Sequence, residues 1–231
     1  MFLRLLEACL RKPVDELFLV GDIFDLWISD RRYFVESYSA IVEKLRRLKV
    51  QGTRIHYFEG NHDLDLRPFW QHRLGFDVHS EAAFFMLNGV SYRVEHGDQM
   101  DPDDRGYLFL RWLLRTPVIV FLARWLPDRL VSWIGQRSSA ASRDYTTQIK
   151  VASDRDVVAK IHTHVSKVFA QNPFAVLVSG HVHVPDDSQL SVAGQTVRSV
   201  NMGTWLKKPL VFDVHGGTGE LKDVEAFITG P

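Results

Sequence analysis

Four apolar runs in this chain end abruptly in short polar groups drawn from the same few residue types. Leu17 to Val20 meets Gly21-Asp22. Ile55 to Phe58 leads into Gly60-Asn61-His62-Asp63. The run ending at Val94 leads into His96-Gly97-Asp98, and Phe174 to Val178 leads into Gly180-His181-Val182-His183. A carboxylate at the rim of an apolar core is costly unless a cation, a metal or water compensates it. Imidazole and carboxylate together suit a divalent transition metal such as manganese, iron, zinc or cobalt. A glycine beside each donor lets backbone and ion approach closely. The pattern predicts one metal site assembled from strand ends.

Such a site needs strands whose carboxyl ends converge, which is where open α/β sheets place their ligands. The remaining pattern supplies them. Phe2, Leu3, Leu5, Leu6, Cys9 and Leu10 mark a helix face, and Glu16 to Gly21 reads as a buried strand. Val35, Tyr38, Ile41, Val42, Leu45 and Leu48 give helical spacing over 34–49. Asn88-Gly89 between two alternating runs predicts a hairpin. From Asp103 to about Asn172 the chain reads as mostly helical, with breaks at Pro117, Pro127 and Gly135. "FAVLVS", "SQLSVAG", "QTVRSVN", "LVFDVHG" and "ELKDVEAFI" then read as strands. The expected architecture is a single α/β domain over 1–231, with two sheets and a helical insertion at about 104–170.

Bulk composition excludes several classes. The chain has 231 residues, 28 basic and 28 acidic, so no global charge argues for nucleic acid. Cys9 is the sole cysteine, which rules out an internal disulfide or a multi-cysteine metal site. Ten histidines are a rich supply of metal ligands. Arg4 and Glu7 interrupt the apolar start, which does not read as a signal peptide. Arg124, Pro127, Asp128 and Arg129 interrupt the most apolar long stretch, which begins at Thr116, so no transmembrane helix is expected.

Gly-Asp, Gly-Asn-His-Asp, His-Gly-Asp and Gly-His-Val-His, in that order, resemble the calcineurin-like metallophosphoesterase superfamily. The resemblance covers residue 17 to about 205. It implies a four-layer α/β/β/α sandwich and two divalent ions that activate a hydroxide for attack on a phosphoryl group. Manganese is the expectation, with iron, zinc or magnesium as alternatives. By the same resemblance, Asp22 bridges the two ions. Asn61, His96 and His181 complete one ion's shell, and His183 serves the other. His62 corresponds to the catalytic histidine and Asp63 to the group that orients it; Asp98 would support His96. One motif departs from the pattern. The family's opening strand, ending in Asp-x-His, has no counterpart in the 20 residues before Gly21. The expectation is that the native chain begins further upstream, and that two-metal catalysis by the chain as written is impaired.

"GDIFDLWISD", "HGDQMDPDDRGYLFLRWLL" and "QRSSAASRDYT" resemble the UDP-2,3-diacylglucosamine diphosphatases of the lipid A pathway. That resemblance implies cleavage of a lipid-linked UDP-sugar to UMP and 2,3-diacylglucosamine 1-phosphate, beneath a helical lid that holds acyl chains. It also implies a cytoplasmic enzyme peripheral to the inner-membrane surface. Tyr107, Phe109, Trp112, Val118, Phe121, Trp125 and Trp133 would form the lid's apolar face, interspersed with Arg111, Arg115, Arg124 and Arg129, a composition suited to acyl chains and an anionic membrane surface. Asp104, Tyr107, Arg137, Ser138 and Arg143 would face the substrate, with Ser139 beside them. Some diphosphatases of this type carry Arg where His62 stands, which marks a divergent subgroup.

Plainer readings accompany these. Apolar residues at helical spacing are usually core, and 137–143 alone reads as a solvated helix face. His162 and His164, two apart on a helix, do not share a face and are expected at the surface. His56, His72, His79 and His215 read as structural or exposed, and Cys9 as an ordinary buried residue. Asp25 is either a support to the metal ligands or a helix cap. Two other functions fit the motifs: a metallophosphoesterase acting on a soluble nucleotide or other phosphodiester, and a non-catalytic membrane-associated scaffold.

Overall fold

Leu5, Leu6, Ala8 and Cys9 lie buried along one face of helix α1 (Phe2–Arg11), as the spacing of the first apolar residues requires. The computed structural model describes residues 1–100, 105–128, 130, 133 and 154–230. The chain divides into two compact units, the first built from 1–80 and 103–147, the second from 81–102 and 148–231.

In the first unit, β1 (Glu16–Leu19), β3 (Arg54–Phe58) and β5 (Asp77–His79) form a parallel sheet in the order β1-β3-β5. The short strands β2 (Trp27–Ile28) and β4 (Asp63–Leu64) pair in parallel, Trp27 opposite Asp63. The periodicity over 34–49 divides into α2 (Arg32–Ser37) and α3 (Ser39–Val50). Tyr38 breaks it by leaving helical geometry, with φ −109° and ψ 20°. Val42, Leu45 and Leu48 still face the core. An aromatic cluster fills the space behind β2: Trp27 and Trp70 are fully buried, their rings 4.8 Å apart, with Phe24, Phe69 and Phe76 around them.

The same unit carries α4 (Arg105–Leu114) and α5 (Pro117–Trp125). Proline at the first position of α5 has no N–H to leave unpaired. Two arginines fasten these helices. The Arg115 guanidinium donates to the carbonyls of Ser80, Glu59 and Gly60 at 3.4, 3.4 and 3.1 Å. Arg31 donates to the carbonyls of Ala123 and Leu126 at 2.8 and 2.6 Å and pairs with Asp128. A cation on the last carbonyls of a helix satisfies groups that have no partner within it.

In the second unit, the hairpin of β6 (Ala83–Leu87) and β7 (Val90–Glu95) turns at Asn88 and Gly89, both at positive φ. With β8 (Val176–Ser179), β9 (Pro185–Val192) and β10 (Gln195–Met202) it forms a sheet in the order β6-β7-β8-β10-β9. β7, β8 and β10 run parallel. Helix α6 (Asp154–Gln171) packs Ile161, Val165, Val168 and Phe169 against Leu177, Val192 and Val197. β11 (Leu210–His215) pairs with β12 (Thr218–Asp223). "VEAFI" is helix rather than strand: α7 (Val224–Thr229) begins there because the Asp223 carboxylate caps the Glu225 N–H at 2.8 Å.

Candidate metal centre and catalytic loop

Each unit places candidate metal-donor residues directly after parallel strands. In the first unit, Asp22 follows Gly21 beyond β1, and both adopt positive φ, 51° and 82°. That conformation costs a non-glycine residue about 1–3 kcal/mol and must be imposed by its surroundings. The Asp63 carboxylate imposes it. Its Oδ2 accepts the Asp22 N–H at 2.7 Å and the Gly60 N–H at 3.3 Å, and its Oδ1 accepts the Tyr57 hydroxyl at 3.2 Å. Asp63 and Tyr57 are fully buried. Burial and the neighbouring Asp63 charge push the Tyr57 phenol well above its usual pKa, so it remains a donor.

The Asp22 side chain points back over the second loop, where its Oδ1 accepts the His62 N–H at 2.9 Å. Gly60 makes this approach feasible: a Cβ there would stand 2.2 Å from Asp22 Oδ1 and 2.5 Å from the Asp22 nitrogen. Asn61 and His62 follow, both partly exposed. His62 Nδ1 lies 2.8 Å from the Asp25 carbonyl. A carbonyl only accepts, so Nδ1 is the donor in this contact. Asp25 therefore meets the His62 ring through its backbone carbonyl. Asp63, assigned by resemblance to orienting His62, accepts bonds from Asp22, Gly60 and Tyr57.

In the second unit, His96 is buried at the end of β7 and His181 follows β8 at φ 59°. Their rings meet edge to face with centroids 5.0 Å apart. The Gly180 N–H donates to the His96 carbonyl at 3.0 Å. Gly97 sits at φ 100°, a conformation that strains a side chain, and a Cβ there would fit tightly, 3.2 Å from the Gly180 carbonyl oxygen and 3.1 Å from the Met100 methyl. The fully buried Asn201 donates to Ser179 Oγ and the Gly180 carbonyl at 2.9 and 2.8 Å and accepts the Gly203 N–H at 2.9 Å. Asp98 is buried beside this loop and His183 is exposed. Two imidazoles this close, with glycine on the flanking backbone, form a donor set suited to a borderline divalent ion.

His162 and His164 are not the free surface residues that their spacing predicts. His164 Nε2 lies 2.6 Å from Glu95 Oε1, and Arg93 holds the other Glu95 oxygen at 2.7 Å. Burial pushes the Glu95 carboxyl up, but the His164 bond and the charges of His164 and Arg93 outweigh it and hold the group below its usual pKa. His162 bonds the buried Asp186 at 3.1 Å. The two imidazoles do not share a face, as i, i+2 spacing requires, but each reaches a different buried acid from the flank of α6, so the expected surface placement does not hold.

The substrate-facing residues Asp104, Arg137, Ser138, Ser139 and Arg143 lie outside the described residues, as does the side chain of Tyr107. Sequence reasoning missed Tyr57, Asn201 and Arg31, and read Arg115 only as part of the charged pattern of the apolar helices, not as a donor to the Glu59 and Gly60 carbonyls. Asn201 left one trace: it ends the run "QTVRSVN" as a further polar group at a strand end.

A family model for calcineurin-like phosphoesterases matches residues 1–185. The chain belongs to the calcineurin-like phosphoesterase family. It is accordingly a phosphoester hydrolase with the α/β fold of that family, whose chemistry uses divalent metal ions. Among curated relatives, a UDP-2,3-diacylglucosamine hydrolase of Pseudomonas putida is 31% identical over 88% of this chain and 82% of its own length. One from Stutzerimonas stutzeri is 30% identical over 83% and 78%, and one from Pseudomonas syringae pv. syringae 30% over 92% and 84%. Within this phosphoesterase, α4 and α5 present an apolar face: Phe109, Trp112, Phe121 and Trp125 are 59–76% exposed. No helix among the described residues is long and apolar enough to cross a membrane.

Proposed function

We propose that the protein hydrolyses the pyrophosphate bond of UDP-2,3-diacylglucosamine to give UMP and 2,3-diacylglucosamine 1-phosphate. The relatives' names support this reading, and the exposed aromatic face of α4 and α5 carries it. Such a face buries acyl chains, whereas a soluble nucleotide has no use for one. Asp22, Asn61, His96, His181 and His183 are the proposed ligands of two divalent ions, manganese first. When bound, the ions polarise the phosphoryl group and lower the pKa of the attacking water.

The chain's own residues do the rest. His62, whose Nδ1 donates to the Asp25 carbonyl, is the proposed general acid: in its doubly protonated form Nε2 gives its proton to the departing oxygen and is left with a lone pair. Water adds its oxygen to one phosphorus as the bridging P–O bond breaks, so each product leaves with one phosphate. Asp104, Tyr107, Arg137, Ser138 and Arg143 are proposed to hold the glucosamine and pyrophosphate. The enzyme works at the cytoplasmic face of the inner membrane, with the lid on the lipid side.

The test compares UMP release from UDP-2,3-diacylglucosamine in mixed micelles with hydrolysis of soluble nucleotide diesters, both with manganese. Preference for the lipid substrate, lost when Trp112 and Trp125 are replaced by Ser, is the expected result. Equal or better turnover of soluble diesters would move the protein to a soluble-nucleotide phosphodiesterase. Full metal binding without turnover of either would favour the scaffold reading.

A further inference from the structure

The Asp63 carboxylate is fully buried and joins the ends of two strands. Its Oδ2 takes the Asp22 N–H at 2.7 Å beyond β1 and the Gly60 N–H at 3.3 Å beyond β3. Its Oδ1 takes the Tyr57 hydroxyl at 3.2 Å. Tyr57 lies within β3, is fully buried, and packs edge-on against Trp70 at 5.4 Å between centroids. Its ring is thereby fixed, and the hydroxyl has one task in view. A buried carboxylate with donors on both oxygens is constrained in orientation, and its short bond, 2.7 Å, is the one to the Asp22 N–H.

What that orientation controls is Asp22, not bulk packing. Asp22 sits at φ 51°, a conformation it would leave if its N–H were released. Rotation there would swing the Asp22 carboxylate off the His62 N–H that now meets it at 2.9 Å. The line of contacts thus runs from the Tyr57 hydroxyl to Asp63, then to the Asp22 backbone and the Asp22 carboxylate.

We propose that Tyr57 and Asp63 form a positioning pair that sets the metal-binding geometry of Asp22 by fixing its backbone. This rests on the reading of Asp22 as a metal ligand. Partners that orient metal ligands from behind typically change affinity by about 10–100-fold when removed. A pair that served stability alone would leave affinity untouched.

The experiment uses the full chain and manganese alone, titrated by calorimetry, with cobalt substitution as a spectroscopic readout. Tyr57→Phe keeps the ring and removes one hydroxyl. It is expected to weaken manganese binding roughly 10-fold and to alter the visible cobalt spectrum. Asp63→Asn, which keeps the side chain's size, is expected to weaken binding further, toward 100-fold, and provides the same readout if Tyr57→Phe does not fold. Wild-type affinity and an unchanged cobalt spectrum in a folded variant, whatever its melting temperature, would overturn the proposal. A wild-type chain that binds no manganese would remove the metal-ligand reading and the positioning pair with it; Asp22→Ala losing metal while Tyr57→Phe keeps it would remove the pair alone.

Discussion

The two units hold their donor residues by different physics. Beyond β1 and β3, a buried anion does the work: Asp63 ties down Asp22 and Gly60 and draws on the Tyr57 hydroxyl. Beyond β8, a neutral amide does it: Asn201 fixes the Gly180 carbonyl, Ser179 and Gly203. Both loops contain a non-glycine residue at positive φ, Asp22 and His181. The anionic clamp exploits stronger charge-assisted bonds but buries a charge, so its worth depends on every donor staying in place. The neutral clamp is weaker and more tolerant of loss.

Asp63→Ala should break this contrast most severely. It leaves three donors without the carboxylate that serves them and should cost about 3 kcal/mol, read as the shift in urea midpoint at constant m-value. Asn201→Ala should cost about 2 kcal/mol in the same measurement. Equal losses would mean that the charge on Asp63 adds nothing to the clamp.

The histidines sharpen the contrast through pH. In the first unit, His56 bonds Glu16 at 3.0 Å and His79 at 3.1 Å, with Asp77 and Arg54 nearby. Burial lowers the pKa of both imidazoles, despite the acids beside His56. The unfolded chain then binds more protons than the folded one below about pH 6.5. Stability is therefore full above that value and falls as pH drops through the lowered folded-state pKa values. His56→Gln should flatten the loss between pH 7.5 and 5.5, measured as urea midpoints at each pH. An unchanged slope would put the pH dependence elsewhere. The smallest effect belongs to α5: Trp125, 76% exposed, should change stability by less than about 0.5 kcal/mol when replaced by Ala, while micelle binding drops if the proposed lipid-facing role holds.

The donor residues were legible because each stands at the end of an apolar run, and burial makes a polar residue there conspicuous. The hairpin at Asn88-Gly89 was legible because its turn demands positive φ. The clamps were not. Tyr57 sits inside an apolar strand and reads as one more aromatic core residue, and its bond to Asp63 depends on how the chain returns six residues later. The roles of His162 and His164 were hidden for a related reason: their partners Asp186 and Glu95 are far away in sequence, so local spacing carries no trace of them. The final helix was misread because alternation in "ELKDVEAFI" outweighed a single capping aspartate, Asp223.

The central proposal is that these strand-end residues bind divalent metal. The measurement that bears on it most directly is bound metal, by elemental analysis after manganese loading and desalting, for the wild-type chain and His181→Ala. The account predicts bound manganese in the wild type and its loss in the variant, with the fold intact by circular dichroism. Metal-free wild-type protein after loading, or undiminished metal in His181→Ala, would contradict it.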